Sequence, residues 1–235
     1  MLADWTTAPV TPRQRAGLRL VELLTTRPRE LDAATIAELR AAGLDDAALD
    51  DAANVTFHFN FINRLADAFD FPRLDADQRR RLARMLDRAS RVAAGARPQP
   101  SYARGEDGLL RPAEVELGRA HALSCAGGTA PALRRAAEAH AARVFGATRS
   151  AEEDALPEPA RGYVEKLARW AYRIIDEDID ALKAAGYDEE QIFELTFAGA
   201  LGASVVALER LFAVLHGPAA RGSSDAPGAT SAAPS

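Results

Sequence analysis

The chain has 235 residues, of which 48% are apolar, and a formal net charge of −5. This length is enough for one large domain or two small ones, and the apolar content is enough for a hydrophobic core. The acidic balance argues against a general nucleic-acid-binding protein, because binding to phosphates requires a basic excess.

Ala, Leu, Arg and Glu dominate most of the chain, and no stretch has the alternation of β-branched residues typical of strands, so we predict an all-α fold. Thr11 before Pro12 predicts a helix start, and Gly43 predicts a helix end. Asp45 or Asp46 predicts the start of a long helix. The predicted helices cover residues 12–26, 33–42, 46–70, 75–94, 112–124, 129–145, 162–174, 176–185 and 188–215.

Segments rich in Gly, Pro and charge divide these helices. They predict a linker at 95–111, a second linker at 147–161 and a disordered tail at 217–235. The expected units are therefore a first half at 1–94, connecting helices at 112–146 and a second half at 162–216.

A basic stripe runs along the predicted helix at 75–94, where Arg80, Arg84, Arg88 and Arg91 recur at helical spacing. One interpretation is a docking surface for an acidic partner. The other is a solvated helix face balanced by neighbouring aspartates, and the alternation of charge favours this second interpretation.

The two halves resemble each other in sequence, which predicts an internal repeat. Residues 34–52 and 177–195 match at seven positions with a constant offset of 143, including Gly43 with Gly186 and Asp45 with Asp188. A three-residue adjustment then aligns Arg64 with Arg210. Each half would end in a long helix that is apolar almost all round, so we expect two core helices packed together, with a pseudo-twofold axis.

The segment 37–71 carries a Leu-Arg-x-x-Gly turn, an acidic cap and a polar run, Phe59, Asn60, Asn63 and Arg64, inside an apolar helix. It resembles the back half of the AhpD-like domain of the alkylhydroperoxidase and carboxymuconolactone decarboxylase superfamily, and residues 162–203 resemble the same half again. The resemblance implies an AhpD-like helical bundle and homo-oligomers. In its peroxidase branch it implies thiol chemistry on a Glu-x-x-Cys-x-x-Cys-x-x-x-His helix. The chain has no Cys-x-x-Cys, so two-cysteine peroxidase activity is not expected.

Cys125 is the single cysteine of the chain, and His121 lies four residues before it on the same face of a predicted helix. One hypothesis is a single peroxidatic or redox-sensing thiol assisted by His121. The alternative is an inert residue at a helix C-terminus, where the helix dipole disfavours a thiolate, and we favour this alternative.

His58 is the second catalytic candidate, as an acid–base group in a pocket lined by Phe57, Phe59 and Phe61. The favoured alternative is a core histidine that forms a hydrogen bond with Asn54 or with a backbone carbonyl. We expect Asn60, Asn63 and Arg64 to be structural polar residues in the core helix. A buried Arg64 would pair with a carboxylate from a neighbouring helix or subunit.

The four histidines are scattered, and neither calcium-loop nor phosphate-loop patterns occur, so we predict no metal site and no cofactor. A lone cysteine cannot form an intramolecular disulfide, which fits a reducing compartment. Residues 1–11 do not resemble a signal peptide, and the apolar run between Glu194 and Glu209 has 14 residues, fewer than the about 20 that span a bilayer. We expect a cytoplasmic protein with no membrane partner.

Three functions remain open at this point. The first is a binding or scaffold protein that forms a homo-oligomer and has lost the family's thiol chemistry. The second is an enzyme, either a single-thiol peroxidase that uses Cys125 or a decarboxylase-like enzyme with a non-thiol pocket around His58. The third is an adaptor whose Arg80–Arg91 stripe docks an acidic partner. The substrate or small-molecule ligand is not predicted.

Overall fold

The structure is a computed structural model that describes residues 5–72, 74–93, 101–147 and 156–216, and the side chains of residues 89–93 lie outside it. The described part is mainly helical, which confirms the predicted class at that level. Its elements are α1 (Pro12–Thr26), α2 (Ala33–Ala41), α3 (Asp46–Ala68), α4 (Ala76–Ala93), β1 (Tyr102–Arg104), β2 (Leu110–Pro112), α5 (Ala113–Ser124), α6 (Pro131–Phe145), α7 (Ala160–Trp170), α8 (Asp176–Ala184) and α9 (Glu189–His216), with short 3₁₀ turns at Trp5–Thr7, Pro28–Glu30 and Ala171–Arg173.

The helix ends form at the residues that the sequence indicated. The Thr11 hydroxyl accepts a hydrogen bond from the backbone N–H of Gln14 at 3.2 Å, and the Gln14 side chain accepts one from the Thr11 N–H at 3.0 Å. This reciprocal pair is a capping box. Asp45 caps α3 through the N–H of Ala48 at 2.8 Å. Gly43 ends α2 with φ of +97°, a conformation that side chains disfavour.

Residues 101–112 form a β-hairpin, so the prediction of a linker is wrong for this part of 95–111. β1 and β2 pair antiparallel, with Ala103 opposite Arg111. The glycine that suggested a breaker, Gly108, has φ of +74° and makes the turn, and the side chain of Arg111 is fully buried. The remaining part of that linker, at 95–100, lies outside the described residues, as do 148–155 of the second predicted linker and the predicted tail at 217–235.

Helix α9 lies at the centre of the fold, packed against α3, α6 and α7. Small residues allow this close packing. A Cβ at Gly202 would overlap the backbone carbonyl oxygen of Glu138 on α6 and lie 2.7 Å from its carbonyl carbon. By length and composition α9 is the one helix of the described residues that could cross a membrane, but 78% of its most apolar window is buried inside the protein, as in a core helix.

The two long helices, α3 and α9, pack against each other, with the rings of Phe61 and Phe197 edge-to-face at 5.0 Å between centroids. The expectation of two core helices is confirmed for α9, whose residues from Leu195 to Phe212 are almost all buried, and it holds for only one face of α3. Val55, Phe59 and Ile62 of α3 are exposed by 52%, 60% and 45%. We call these three residues the α3 outer stripe. They are exposed because, within the described residues, no helix packs over that face.

Similar backbone angles recur in the two halves at an offset of 143 residues. Before the 3₁₀ turns, Arg27 has φ, ψ of −146°, 53° and Trp170 has −148°, 53°. After α2 and α8, Ala42 has −81°, 3° and Ala185 has −82°, 2°. The following glycine, Gly186 in the second half, has φ of +95°, against +97° in the first.

Candidate functional site

Cys125 and His121 are four residues apart in the chain, but their side chains do not form a hydrogen bond. Cys125 is the residue that follows the last turn of α5, is partly buried, and directs its thiol towards the carbonyl oxygen of Ala122 at 3.8 Å. The His121 ring is exposed, and no hydrogen bond joins it to the thiol. The negative end of a helix dipole disfavours a thiolate nucleophile, and the neighbouring Arg134 donates to the backbone carbonyl oxygen of Cys125, not to its thiol.

His58 is exposed, which contradicts the favoured expectation of a core histidine, although its predicted backbone contact is present. Its Nδ1 lies 2.7 Å from the backbone carbonyl oxygen of Asn54. The expected pocket of three phenylalanines does not form around it. A helix rotates by about 100° per residue, so Phe57 and Phe61 face the core while Phe59 faces outward. His58 therefore has no enclosed space in which to act as an acid–base group.

The polar residues Asn60, Asn63 and Arg64 of α3 lie in different environments, some in the core and some at the surface. Asn60 is 7% exposed, but Asn63 is exposed and is not a core residue. Arg64 donates to the backbone carbonyl oxygens of Asn60 at 2.9 Å and Ala168 at 3.1 Å. The Arg64 guanidinium carbon also lies 4.6 Å from the centre of the Phe145 ring.

Arg64 has no carboxylate within ion-pair distance among the described residues, so the predicted pairing with a carboxylate is not found in that part of the chain. Burial lowers its pKa to about 10, which leaves it cationic at neutral pH. Ala168 lies in the last turn of α7, where carbonyl groups have no partner within the helix. Arg64 therefore caps α7, as a cation at the negative end of a helix dipole.

A buried ionic network surrounds Arg111, which lay in the stretch expected to be a linker. Each of its nitrogens donates to a carboxylate: Nη2 to Asp107 at 2.6 Å, Nη1 to Glu116 at 2.8 Å and Nε to Glu209 at 3.0 Å. Arg119 extends the network from Glu116 at 3.3 Å to Glu138 at 2.9 Å. Because the nitrogens of Arg111 are occupied, it connects the hairpin to α5 and α9 and cannot also bind a substrate anion.

The charges of this network shift the pKa of Asp107. Burial raises the pKa of its carboxyl group, but the hydrogen bonds and positive charge of Arg111 outweigh burial and lower it to about 2. For Arg111, burial lowers the pKa and the carboxylates of Asp107 and Glu209 raise it by more. Both groups therefore remain charged at neutral pH, and the network has a structural role.

The loop at Gly127 and Gly128 holds a carboxylate that belongs to the protein itself. Glu194 of α9 accepts hydrogen bonds from the backbone N–H groups of Gly128 at 2.9 Å and Thr129 at 2.8 Å, from the Thr129 hydroxyl, and from Arg134 at 3.1 Å. Burial raises the pKa of Glu194, and these hydrogen bonds lower it by more. This internal carboxylate occupies the donors at the N-terminus of α6, so they are not open to a ligand.

An open groove of about 550 Å³ lies beside the N-terminal 3₁₀ turn, between α1 and α2. Its lining is mainly apolar, and an ion pair between Arg19 and Glu38 at 2.8 Å lies beside it. None of the residues predicted as catalytic lies in this groove. Neither end of the ion pair is oriented by a further buried group, so the groove has no catalytic constellation.

Helix α4 is the most exposed element of the described chain. Every side chain from 76 to 88 is exposed, and α4 takes no part in the principal helix packings. Leu82, Met85 and Leu86 lie on one side of it and are exposed by 38%, 60% and 55%. We call them the α4 apolar stripe. Of the predicted arginine stripe, Arg80, Arg84 and Arg88 are exposed as expected for either interpretation, and the side chain of Arg91 lies outside the described residues.

The described residues thus contain no complete catalytic constellation around the predicted candidates, and no group of three or more His, Cys, Asp or Glu side chains placed to hold a metal ion. No protein-family model, no curated protein and no solved structure matches the chain. The arrangement best developed for an interaction is the pair of exposed apolar stripes on α3 and α4.

Proposed function

We propose that this protein is a non-catalytic binding or scaffold protein with an AhpD-like fold, and that it assembles into a homo-oligomer through the α3 outer stripe and the α4 apolar stripe. The observation that carries the proposal is the exposure of six large apolar side chains on two helices, one of which is exposed along its described length. Contiguous exposed apolar surface is typical of interaction sites.

Two related halves are part of this proposal. The recurring backbone angles at Arg27 and Trp170, and again at Ala42 and Ala185, support an internal repeat. In the first half the long helix leaves one face open, and a helix from another molecule would cover it as α6 covers α9. A twofold axis between two copies would use each stripe twice.

Charge favours a second copy of this chain as the partner. Residues 76–88 contain five arginines and two aspartates, a net charge of +3. The whole chain has a net charge of −5, so the remainder is −8. A basic helix on an acidic protein is attracted to the surface of another copy, and this attraction steers association. The acidic partner of the adaptor hypothesis is then the protein itself.

The test is the molar mass in solution, measured by light scattering or sedimentation. We expect the unmodified protein to be larger than its 25.1 kDa monomer. Phe59→Glu and Met85→Glu should each shift the mass towards the monomer, because a buried unpaired charge opposes association. Leu117→Glu is the matched control, since Leu117 is 73% exposed on α5 and lies outside both stripes. A monomeric unmodified protein at every concentration would contradict the proposal.

The enzyme alternatives have their own test. Treating the reduced protein with peroxide and trapping sulfenic acid at Cys125, followed by mass spectrometry, should give no rapid modification. We expect this because the thiol lies at a helix C-terminus without a bond to His121. Rapid trapping that is lost in Cys125→Ser would instead establish a single-thiol peroxidase.

A further inference from the structure

Two buried acceptor oxygens lie one helical turn apart on α3 and have no hydrogen-bond partner among the residues that the structure describes. They are Oδ1 of Asp50 and Oδ1 of Asn54. Leaving a buried polar group unpaired costs about 1–3 kcal/mol, and such groups are uncommon in native proteins. Two unpaired acceptor oxygens on the same side of one helix indicate a position where a ligand with hydrogen-bond donors would be stabilised.

Aromatic rings lie beside these oxygens. The Tyr102 hydroxyl donates to the other carboxylate oxygen of Asp50, Oδ2. The Tyr102 ring contacts the rings of Phe212 and His216, with centroids 5.3 Å and 5.7 Å away. Phe212 and His216 are themselves 5.9 Å apart. Tyr102 is partly buried and His216 is exposed, so the cluster reaches the surface where β1 meets the end of α9.

The surroundings of Asp50 destabilise the charged form of its carboxyl group. Burial is the main cause that raises the pKa of its carboxyl group, and the nearby carboxylates Asp46 and Asp51 raise it further. The Tyr102 hydrogen bond and His216 act in the opposite direction without cancelling the rise. A positive ligand would relieve this penalty, and an anion would increase it.

We propose that Asp50, Asn54 and the rings of Tyr102 and His216, which pack on the buried ring of Phe212, form a binding site for a small primary ammonium compound. Its N–H groups donate to Oδ1 of Asp50 and Oδ1 of Asn54, and its alkyl chain and positive charge lie against the rings through apolar and cation–π contact. Calcium or magnesium fits less well, because each prefers at least six oxygen ligands. The site is independent of self-association.

The first experiment uses n-butylammonium chloride as the probe, followed by backbone amide NMR shifts of the full chain. We expect saturable shifts around Asp50, Asn54 and Tyr102. Tetramethylammonium has the same charge but no N–H donor, so it should bind at least about tenfold more weakly, since the loss of one charge-assisted hydrogen bond is about 1.5–3 kcal/mol. Equal binding of the two cations, or no saturable shift, would overturn the proposal.

Variants separate this site from general attraction to an acidic surface. Asp50→Asn should lose butylammonium binding, while Asp51→Asn, a neutralisation of the adjacent exposed carboxylate, should keep it. Asn54→Leu should weaken binding while leaving Asp50 in place, and it is the second variant if Asp50→Asn does not fold. Equal weakening by Asp50→Asn and Asp51→Asn would show nonspecific charge attraction and reject the site.

Discussion

Helices α3 and α9 begin in the same way and differ in what covers them. Each follows a glycine with φ near +96°, the mean of the +97° and +95° angles of Gly43 and Gly186. Counted from these turns, the exposed Phe59 of α3 corresponds to Gly202 of α9, which contacts the backbone of α6. The same helical face is thus closed in one half and open in the other. The difference lies in α6, which packs on α9, whereas no helix of the described residues packs on this face of α3.

The largest effect should come from the network that fixes the hairpin on α9. Arg111→Met would leave Asp107, Glu116 and Glu209 without their shared cation, so we expect the free energy of unfolding to fall by about 3–5 kcal/mol. Denaturant titration followed by circular dichroism measures this. Arg104→Met is the control, because Arg104 lies in the same hairpin but is exposed. Similar losses in both variants would contradict a specific role for the buried network.

The Gly202→Ala substitution tests the face of α9 that packs against α6. The added methyl group would overlap the backbone carbonyl of Glu138, and rigid backbone cannot yield as a side chain does. We expect a loss of about 2–3 kcal/mol, despite the better helix propensity of alanine. Gly118→Ala on α5 is the control, since nothing lies within 4 Å of the added carbon. A stability for Gly202→Ala equal to that of the unmodified protein would mean that α6 and α9 are not in close contact.

A smaller, pH-dependent effect belongs to Asp107. Its pKa is lowered from 3.8 to about 2, so its stabilising contribution is complete above the ordinary carboxyl pKa and is lost as the pH falls through 2. With 26% of the side chain exposed, solvent screens the interaction, and we expect Asp107→Asn to lose about 1 kcal/mol at pH 7. The difference between variant and unmodified protein should shrink as the pH falls below the ordinary carboxyl pKa and vanish only below pH 2. If the difference in stability does not change as the pH is lowered, the effect of Asp107→Asn comes from packing and not from the charge of the carboxylate.

The smallest effect on folding should come from the open face. Phe59→Ala removes a ring that is 60% exposed, so we expect a loss of no more than about 0.5 kcal/mol for the monomer. The measurement is thermal unfolding at low protein concentration, where association contributes least. A loss of several kcal/mol under these conditions would mean that the α3 outer stripe is covered within one chain.

The sequence predicted local features well and long-range contacts poorly. The helix boundaries near Thr11, Gly43 and Asp45 follow from hydrogen bonds within a few residues, which local sequence determines. Arg111 and Glu209 are 98 residues apart, and no local pattern connects them. Arginine in a stretch rich in Gly and charge resembles a linker residue until the fold places three carboxylates around it.

The candidate site was predictable only in part. The sequence predicted that Cys125 and His121 share one helix face, but Cys125 lies just beyond the last turn of α5 in extended conformation, so helical spacing does not determine how the two side chains are placed. The exposure of Phe59 could not be predicted either, because an apolar residue on an apolar helix is buried only if another element covers it. That depends on the position of α6, which packs on α9.

The two arginines that cap carbonyl groups across the halves have a consequence for folding cooperativity. Arg64 of the first half donates to Ala168 in the second, and Arg210 of the second donates to Leu31 in the first, at 3.0 Å and 2.7 Å. If one half unfolds, the other loses an arginine hydrogen bond to one of its backbone carbonyl groups. Unfolding of one half alone therefore destabilises the other. The backbone amides of both halves should therefore exchange with solvent in one concerted opening, as a single cooperative unit.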